Sequence, residues 1–282
     1  MQKFADYIKR IEIDSLWSGK KHIVWELNPK VNILSGINGV GKSTILNKVV
    51  KGLSAGGEFP SHMLKGVKLD VEPEDARWIR YDLIRSLDNN IAATLSEGDS
   101  TLRQTLTALS NNMGGSLLDL QLYQLQRKYL DYQVNIGNRT IQLLTSGDPS
   151  KITEAQDIAA PRIRFMDFMD ELFADTGKKI VRTSNEILFD QFGSTLLPYS
   201  LSSGEKQLLV IMLTTLVQDM APCVLLMDEP EISLHIEWQQ QLIQRVRSLN
   251  PNVQIIMTTH SPALIMDGWM DNVFDVDDIT VK

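Results

Sequence analysis

Cysteine is almost absent from this chain, since Cys223 is the only one in 282 residues. A single cysteine excludes an intrachain disulfide framework and a cysteine metal site, as expected for a reducing compartment. Long apolar runs are absent too: no stretch reaches the roughly 18 consecutive apolar residues of a membrane span, and the N-terminus lacks the apolar core of a signal peptide. We therefore expect a soluble, cytoplasmic protein with no membrane contact of its own, so that any membrane attachment would have to come from a partner.

An excess of positive charge is also missing. Lysine and arginine total 28 against 35 acidic residues, so the net charge is -7 and the whole chain does not attract nucleic acid. A contact with DNA or RNA would need a local patch, although short basic clusters are more often solvated faces. The candidates are Lys178, Lys179 and Arg182, or Arg77, Arg80 and Arg85.

What is present is enough apolar sequence, 43%, for a buried core. Residues 1–59 are predicted to be β-rich and end in a short apolar strand, a glycine-rich loop and a helix from Ser43. Two later strands, 223–227 and 253–258, are apolar throughout and flank a helix over 236–249. Because strands without alternation are covered on both faces, the sequence predicts an α/β fold with a mostly parallel sheet.

The middle of the chain has a helical pattern instead. Between 60 and 175, a helix over 163–173 and a helical stripe bracketed by Gly114-Gly115 and Gly137-Asn138 predict a helical insertion, followed by a hairpin formed by 179–183 and 186–191. We therefore predict one domain over 1–282, with a nucleotide-binding core of 1–59 plus 180–282 and an insertion of 60–179. The stripe consists of Leu118, Leu122, Leu125, Tyr129, Tyr132 and Ile136.

The glycine-rich loop matches the phosphate-loop pattern G-x-x-x-x-G-K-S between a strand and a helix. Its glycines allow backbone N–H groups to surround a phosphate at a helix N-terminus. Lys42 is predicted to reach the β- and γ-phosphates of ATP, and the Ser43 hydroxyl to bind Mg²⁺. The residues predicted to contact the nucleotide here are Gly36, Asn38, Gly39, Gly41, Lys42, Ser43 and Thr44.

Two acidic residues end the buried strand 223–227. A buried ionised pair is costly unless it meets a cation or water. Asp228 is therefore predicted to hold Mg²⁺ through water, and Glu229 to act as the general base that polarises the attacking water. His260 follows the next apolar strand, and we predict that it hydrogen-bonds the γ-phosphate and positions that water. The alternative for the acidic pair is a cap before Pro230.

A second motif, Leu201-Ser202-Ser203-Gly204-Glu205, opens a helix in the last third of the chain. Ser202 and Glu205 also fit a capping box, which is compatible with a function. A serine hydroxyl, a glycine backbone and a helix N-terminus form an anion site. We expect it to close over the γ-phosphate held by an opposite chain, through Ser202, Ser203, Gly204 and Glu205.

These motifs, together with Asp-Glu-Pro-Glu-Ile-Ser-Leu-His and Thr-His-Ser-Pro, resemble the ABC-type ATPases of the P-loop NTPase fold and frame nearly the whole chain. Ser203, Glu205, His235 and the Ser261-Pro262 step depart from the transporter pattern. The chain therefore resembles the soluble branch that includes OLD-family ATPases, SMC and RecF heads, and the ATPases of bacterial anti-phage systems and retrons. The resemblance implies ATP, Mg²⁺ and a homodimer with ATP sandwiched between two chains.

Three family elements stay open. The glutamine loop has no clear counterpart, and Asp82 or Arg85 is the candidate substitute. Trp17 or Trp25 could stack on adenine or pack in the core. His235 could contact the partner chain or pack beside Trp238.

The resemblance implies an ATP-driven dimeric switch. Only 22 residues follow His260, too few for a fused nuclease domain, so we expect a separate effector, a nuclease or a toxin, with nucleic acid contacted through the complex, in bacterial anti-phage defence. One alternative is the ATP-binding subunit of a membrane transporter. Another is a DNA-repair or chromosome-maintenance ATPase.

Overall fold

The computed structural model describes residues 3–17, 19, 21–54, 66–85, 116–266 and 268–281. In chain order, the strands are β1 (Phe4–Ala5), β2 (Tyr7–Leu16), β3 (Lys21–Glu26), β4 (Val31–Ser35), β5 (Val67–Glu72), β6 (Trp78–Ile79), β7 (Tyr81–Arg85), β8 (Lys178–Ile180), β9 (Phe189–Gln191), β10 (Ser194–Leu196), β11 (Cys223–Asp228), β12 (Val253–Thr258), β13 (Val273–Asp275) and β14 (Thr280–Val281). The helices are α1 (Lys42–Ser54), α2 (Leu117–Leu144), α3 (Lys151–Leu172), α4 (Ser203–Leu216), α5 (Ile236–Leu249) and α6 (Pro262–Ile265).

The chain divides into two compact units. The first comprises Met1–Ser86, Met220–Arg247 and Pro251–Lys282, and the second comprises Leu87–Asp219 and Ser248–Asn250. The first unit therefore contains the phosphate-loop sequence and the Asp-Glu strand, and the second contains the Leu-Ser-Ser-Gly-Glu motif.

A five-stranded parallel sheet organises the first unit, with the strand order β13-β4-β12-β11-β7. All six residues of β11 and all six of β12 are buried, which explains why neither strand alternates in sequence. The predicted α/β class with a parallel sheet is confirmed. Because the strands run in one direction, the loops that follow β4, β11 and β12 leave the sheet at the same edge.

The second sheet of this unit is antiparallel, with the order β14-β3-β2-β5. Its strands do alternate: Ile11 and Ile13 of β2 are fully buried, while Glu12 between them and the following Asp14 face outward. Helix α1 contacts both sheets, and its apolar residues Ile45, Leu46 and Val49 join the side chains of the two sheets in one core. Each such buried side chain contributes about 1.5–3 kcal/mol.

The second unit is built on helices. Helices α2 and α3 pack along each other and against α4, and β8, β9 and β10 form a small antiparallel sheet. The predicted pairing of the segments around 179–183 and 186–191 is confirmed, since β8 pairs with β9. The helical stripe predicted from the sequence is buried throughout, with at most 6% exposure at Leu118, Leu122, Leu125, Tyr129, Tyr132 and Ile136.

Several predicted boundaries differ from the structure. Helix α2 continues through Gly137-Asn138, and α3 begins at Lys151 with Pro161 inside it, because tertiary packing overrides weak local propensities. Gly114-Gly115 lies outside the described residues. Segment 67–85, predicted as part of the insertion, instead supplies β5, which pairs with β2, and β7, which forms the edge of the parallel sheet. The chain consequently passes from the first compact unit to the second after residue 86 and returns to the first at residue 220, whereas the sequence predicts boundaries near 60 and 180.

Candidate functional site

The carboxyl ends of the central parallel strands bring the predicted residues of the first unit together. Asp228 at the end of β11 lies opposite Thr258 at the end of β12, and Thr258 lies opposite Leu34 of β4. Ligands of open α/β sheets bind outside this edge. The glycine-rich loop, the acidic pair and His260 therefore share one location.

The glycine-rich loop joins β4 directly to α1. Gly41 has a φ of +103°, and a β-carbon there would lie 2.4 Å from Cζ2 of Trp17, so neither the backbone nor the space allows a side chain. Asn38 and Gly39 are exposed at the tip of the loop, and Thr44 is exposed in the first turn of α1. The first turn of α1 contains no acidic residue, so its N-terminus keeps its full attraction for anions.

Lys42 extends into this loop. Its ammonium donates to the carbonyl oxygens of Gly36 at 2.8 Å and Ile37 at 3.1 Å, and it lies 2.7 Å from Nε2 of His260. Burial lowers the pKa of Lys42, and the carboxylates of Glu229 and its neighbours oppose that shift. A buried cation held by backbone carbonyls at a helix N-terminus suits the phosphates of a nucleotide.

Ser43 and Asp228 meet beside this lysine. The Ser43 hydroxyl donates to Oδ1 of Asp228 at 2.9 Å, and the Thr258 hydroxyl donates to the same oxygen at 2.6 Å. Neighbouring ligands of an octahedral Mg²⁺, with bonds of about 2.0–2.1 Å, lie about 2.9 Å apart. The oxygen donors and the spacing of Ser43 and Asp228 therefore fit a magnesium ion.

Glu229 leaves β11 in a strained conformation. Its φ is +48°, a region that costs a non-glycine residue about 1–3 kcal/mol. The backbone N–H of Glu229 donates to Thr258, both to the carbonyl oxygen and to Oγ1, at 3.1 Å each. This turn places Oε1 of Glu229 at 3.2 Å from Nε2 of His260. The predicted base and the predicted γ-phosphate contact are therefore neighbours.

His260 consequently faces two groups through one nitrogen. Nε2 accepts from Lys42 when it is unprotonated, and it donates to Glu229 when it carries the proton. One nitrogen cannot do both at once, so the tautomer of His260 decides which neighbour it binds. The side chain is about one-third exposed, which leaves it accessible from the site.

The second unit contains the other predicted half of the site. Ser202 is the N-cap of α4, and it forms a reciprocal capping box with Glu205: the Ser202 N–H and hydroxyl both donate to Oε2 at 2.9 Å. Lys178 donates to Oε1 of Glu205 at 2.8 Å, and Thr176 donates to the same oxygen at 3.1 Å. Ser202 and Ser203 are exposed, whereas Gly204 and Glu205 are buried.

Burial alone would raise the pKa of Glu205. The hydrogen bonds from Lys178 and Ser202 outweigh it and hold that pKa below its ordinary value. Glu205 is only 3% exposed, so its carboxylate supports the motif from inside. The groups that α4 offers outward are the hydroxyls of Ser202 and Ser203 and the backbone at the helix N-terminus.

The residues left open by the sequence have distinct environments. Trp25 is 1% exposed and its ring contacts Phe274 edge-on, so it is a core residue. Trp17 is 41% exposed and lies over Gly41, next to the phosphate loop. The rings of His235 and Trp238 lie 6.4 Å apart, edge to face, which matches packing within the chain.

The candidate glutamine-loop substitutes lie on β7. Arg85 ends that strand opposite Asp228, at the edge where the site lies. Asp82 lies three residues earlier, opposite Leu225, and is directed toward Cys223. Of the two, only Arg85 is positioned near the predicted magnesium ligands.

Several side chains of the basic clusters that the sequence offers for nucleic acid already have partners within the chain. Arg182 donates to Asp167 at 2.8 Å and to Asp170 at 2.6 Å, while Lys178 is bound to Glu205. The guanidinium of Arg80 lies 3.9 Å from the ring centroid of Phe4.

Thr258, Thr259 and Glu231 belong to the site but are not singled out by the sequence. The two threonines are polar residues at the end of a buried apolar strand, which is a usable signal. Glu231 follows the acidic pair by two residues, and its hydrogen bonds to Thr259 and to the backbone of His260 cannot be read from the sequence.

None of the described helices is long and apolar enough to cross a bilayer.

A family model described as "AAA domain, putative AbiEii toxin, Type IV TA system" matches residues 92–267, well over half of the chain.

Two curated relatives are similar along part of their length. The Septu protein PtuA of Bacillus thuringiensis is 25% identical over 306 residues, which cover 92% of this chain and 72% of that protein. The retron Vc95 probable ATPase of Vibrio cholerae is 33% identical over 99 residues, 31% of this chain and 19% of that protein. An SMC head domain of Pyrococcus furiosus, solved with the C-terminal domain of ScpA, is 13% identical, with 95% and 93% of the two chains covered. Its TM-score of 0.46 is too low to bear on the fold.

The family and these relatives agree with the motifs. The predicted resemblance to an ABC-type ATPase of the anti-phage and retron neighbourhood is confirmed. The chain belongs to the family described as "AAA domain, putative AbiEii toxin, Type IV TA system".

Proposed function

We propose that this protein binds ATP with Mg²⁺ and hydrolyses it to ADP and phosphate, as a homodimer that acts on a separate effector. The observation that supports it best is that residues from three separate segments meet at the carboxyl ends of the parallel strands. These residues are Lys42, Ser43, Asp228, Glu229 and His260. Each of these residue types has a task in phosphoryl transfer.

Binding falls to the glycine-rich loop. Its backbone N–H groups and the N-terminus of α1 surround the phosphates, and the ammonium of Lys42 moves from the carbonyls of Gly36 and Ile37 to the phosphate oxygens. Ser43 and Asp228 would hold Mg²⁺, which would supply positive charge against the charge that develops on the phosphates. The hydroxyl of Thr258 keeps Asp228 oriented through its 2.6 Å hydrogen bond.

Hydrolysis falls to Glu229 and His260. The carboxylate of Glu229 orients the attacking water and accepts its proton. His260, 3.2 Å from that carboxylate, hydrogen-bonds the γ-phosphate through Nε2, which Lys42 also faces. The strained φ of Glu229 is consistent with a side chain held in place for chemistry.

The second half of the site comes from another chain in this proposal. Ser202 and Ser203 present hydroxyls at the N-terminus of a 14-residue helix, a place that attracts anions. They would close over the γ-phosphate bound to the partner chain, so that ATP joins two copies and hydrolysis separates them. Glu205 contributes by fixing Ser202.

The effector proposal rests on the relatives. A Septu protein and a retron ATPase are both similar to this chain, and this similarity supports a role for the proposed switch in bacterial anti-phage defence. A nuclease or toxin on a separate chain would then carry out the destructive step, with nucleic acid contacted through the complex.

Measurements of ATP turnover and nucleotide binding in Lys42→Ala test the proposed ATPase activity. We expect at least a 100-fold loss of turnover, because the buried cation that faces the phosphates is removed. Lys51→Ala is the matched control, since this lysine is exposed at the other end of α1. Wild-type turnover in Lys42→Ala, or an equal loss in both variants, would contradict the proposal.

A further inference from the structure

Glu231 connects the two loops that bear Glu229 and His260. Its Oε1 accepts a hydrogen bond from the hydroxyl of Thr259 at 2.6 Å and from the backbone N–H of His260 at 2.8 Å. Hydrogen bonds to a carboxylate are shorter and stronger than those to a neutral acceptor. Glu231 therefore holds the backbone at the position from which the imidazole projects.

The loop after β11 is shaped to deliver this carboxylate. Glu229 and Ser233 both have positive φ angles, of 48° and 71°, and the Leu234 N–H donates to the carbonyl of Glu231 at 2.9 Å. The chain thus turns back on itself between the end of β11 and the start of α5. The side chain of Glu231 emerges from this turn toward the end of β12.

A second connection runs from α5 to the same segment. Gln239 donates to the carbonyl of Leu234 at 2.9 Å and accepts from the Ser261 hydroxyl at 2.5 Å. The Ser261 N–H in turn donates to the Thr259 hydroxyl at 2.9 Å. The three residues 259–261 are therefore held from both sides, and Glu231 is the only charged member among the contacts described here.

The other oxygen of Glu231 has an unusual environment. Oε2 has almost no solvent-accessible surface and no hydrogen-bond partner among the described residues. A buried carboxylate oxygen without a partner is costly. The negative charge of Glu231 also opposes the burial-induced fall in the pKa of Lys42. An unsatisfied buried oxygen calls for an explanation, and a role in holding the site together supplies one.

We propose that Glu231 is a positioning residue for the ATPase reaction: it fixes the backbone at His260 so that Nε2 stays between Lys42 and Glu229. This inference rests on the proposed function. It assigns no proton transfer to Glu231, which acts on the reaction only through His260.

Steady-state kinetics of Glu231→Ala and Glu231→Gln test this role. The alanine variant removes both hydrogen bonds, and we expect kcat to fall about 10- to 100-fold while KM changes less than about twofold. The glutamine variant keeps an oxygen that can accept both bonds, so we expect kcat within about threefold of wild type. Wild-type kcat in the alanine variant, or a glutamine variant as slow as alanine, would overturn the proposal. Glu237→Ala, an exposed carboxylate in the first turn of α5, is the control.

A double-mutant cycle with His260→Ala tests whether Glu231 acts through the histidine. In the His260→Ala background, we expect Glu231→Ala to lower kcat by less than about twofold, because its target is already removed. A second loss as large as that in the wild-type background would mean that Glu231 acts independently of His260.

An observation that needs no activity separates this inference from the proposed function. In ¹⁵N-histidine-labelled protein, the backbone amide of His260 is identified by its absence in His260→Gln. We expect its hydrogen exchange to be at least about tenfold faster in Glu231→Ala than in wild type. An unchanged exchange rate would overturn the positioning role even in an active enzyme. A wild-type protein without ATPase activity, but with the expected exchange difference, would instead refute the proposed function.

Discussion

Two helix N-termini, one in each unit, are built for anions in opposite ways. Helix α1 follows a glycine-rich loop, has no acidic residue in its first turn and places Lys42 inside the loop. Helix α4 is capped by Ser202 and has the acidic Glu205 in its first turn, neutralised by Lys178. In the proposed function, the first helix N-terminus binds the phosphates of ATP within one chain. The second offers hydroxyls and backbone dipoles to a phosphate that another chain holds.

The largest difference between the two helix N-termini is expected in Ser202→Arg. We expect the nucleotide affinity of the monomer to stay within about twofold of wild type, because α1 is untouched. Nucleotide-dependent dimerisation should disappear and turnover should fall roughly 1,000-fold, since the bulky side chain blocks the helix N-terminus. Isothermal titration with a non-hydrolysable ATP analogue and light scattering measure the two effects. Ser194→Arg, at an exposed position of β10, is the control. Dimerisation that survives in Ser202→Arg would exclude a contact of Ser202 with the nucleotide of the partner chain.

A smaller effect, on the free energy of unfolding, is expected when the buried carboxylate of Glu205 in the first turn of α4 is neutralised. Glu205→Gln leaves Lys178 without its partner, and breaking a buried pair in this way costs about 3 kcal/mol of unfolding free energy. Urea denaturation measures the loss. The additional change Lys178→Met should recover part of it, because the orphaned charge is then removed as well. A single variant as stable as wild type would show that the pair does not support the helix start.

The lowered pKa of Glu205 also gives this contribution a direction with pH. Since its folded-state pKa lies below the ordinary value of 4.5, its stabilising effect is present above about pH 4.5 and is lost as pH falls through the folded pKa. Unfolding free energy should therefore fall less steeply below pH 4.5 in Glu205→Gln than in wild type.

The smallest predicted effect concerns the glycine loop before α1. Gly41→Ala should cost about 2 kcal/mol, from its positive φ and from contact with the indole of Trp17. Gly39→Ala shares the positive φ but has open space around the new β-carbon, so it isolates the backbone strain. Urea unfolding of both variants gives the difference, which Trp17→Ala should remove from Gly41→Ala. Equal losses in the two alanine variants would refute the role given to Trp17.

The sequence predicts the elements with a strong local pattern better than the pairing and the ends of elements. Unbroken apolar strands and a phosphate loop of fixed spacing identify β4, α1, β11 and β12, because burial on both faces leaves little freedom of composition. The apolar stripe of α2 is predicted equally well from the sequence. The end of that helix is not, since Gly137 lies inside it. Strand β5 alternates clearly but pairs with a strand some 60 residues earlier, a long-range choice that local pattern does not reveal.

The residues of the candidate site also differ in how far the sequence predicts them. Lys42, Ser43, Asp228, Glu229 and His260 could be predicted because motif spacing and strand ends locate them. Glu231 could not, because its role depends on the turn that Glu229 and Ser233 make after β11. The strain at Glu229 likewise arises from tertiary contacts with Thr258 rather than from local sequence.

The most direct test of the two half-sites mixes chains that carry Glu229→Gln with chains that carry Ser202→Arg. Each variant alone should be nearly inactive, the first because it lacks the base and the second because its motif cannot close. A mixed dimer restores one complete site, formed by the loop of the Ser202→Arg chain and the motif of the Glu229→Gln chain. We predict that an equimolar mixture turns over ATP well above the average of the two parents, because each mixed dimer that forms contains one intact site. Turnover no greater than the average of the two parents would contradict a site shared between chains.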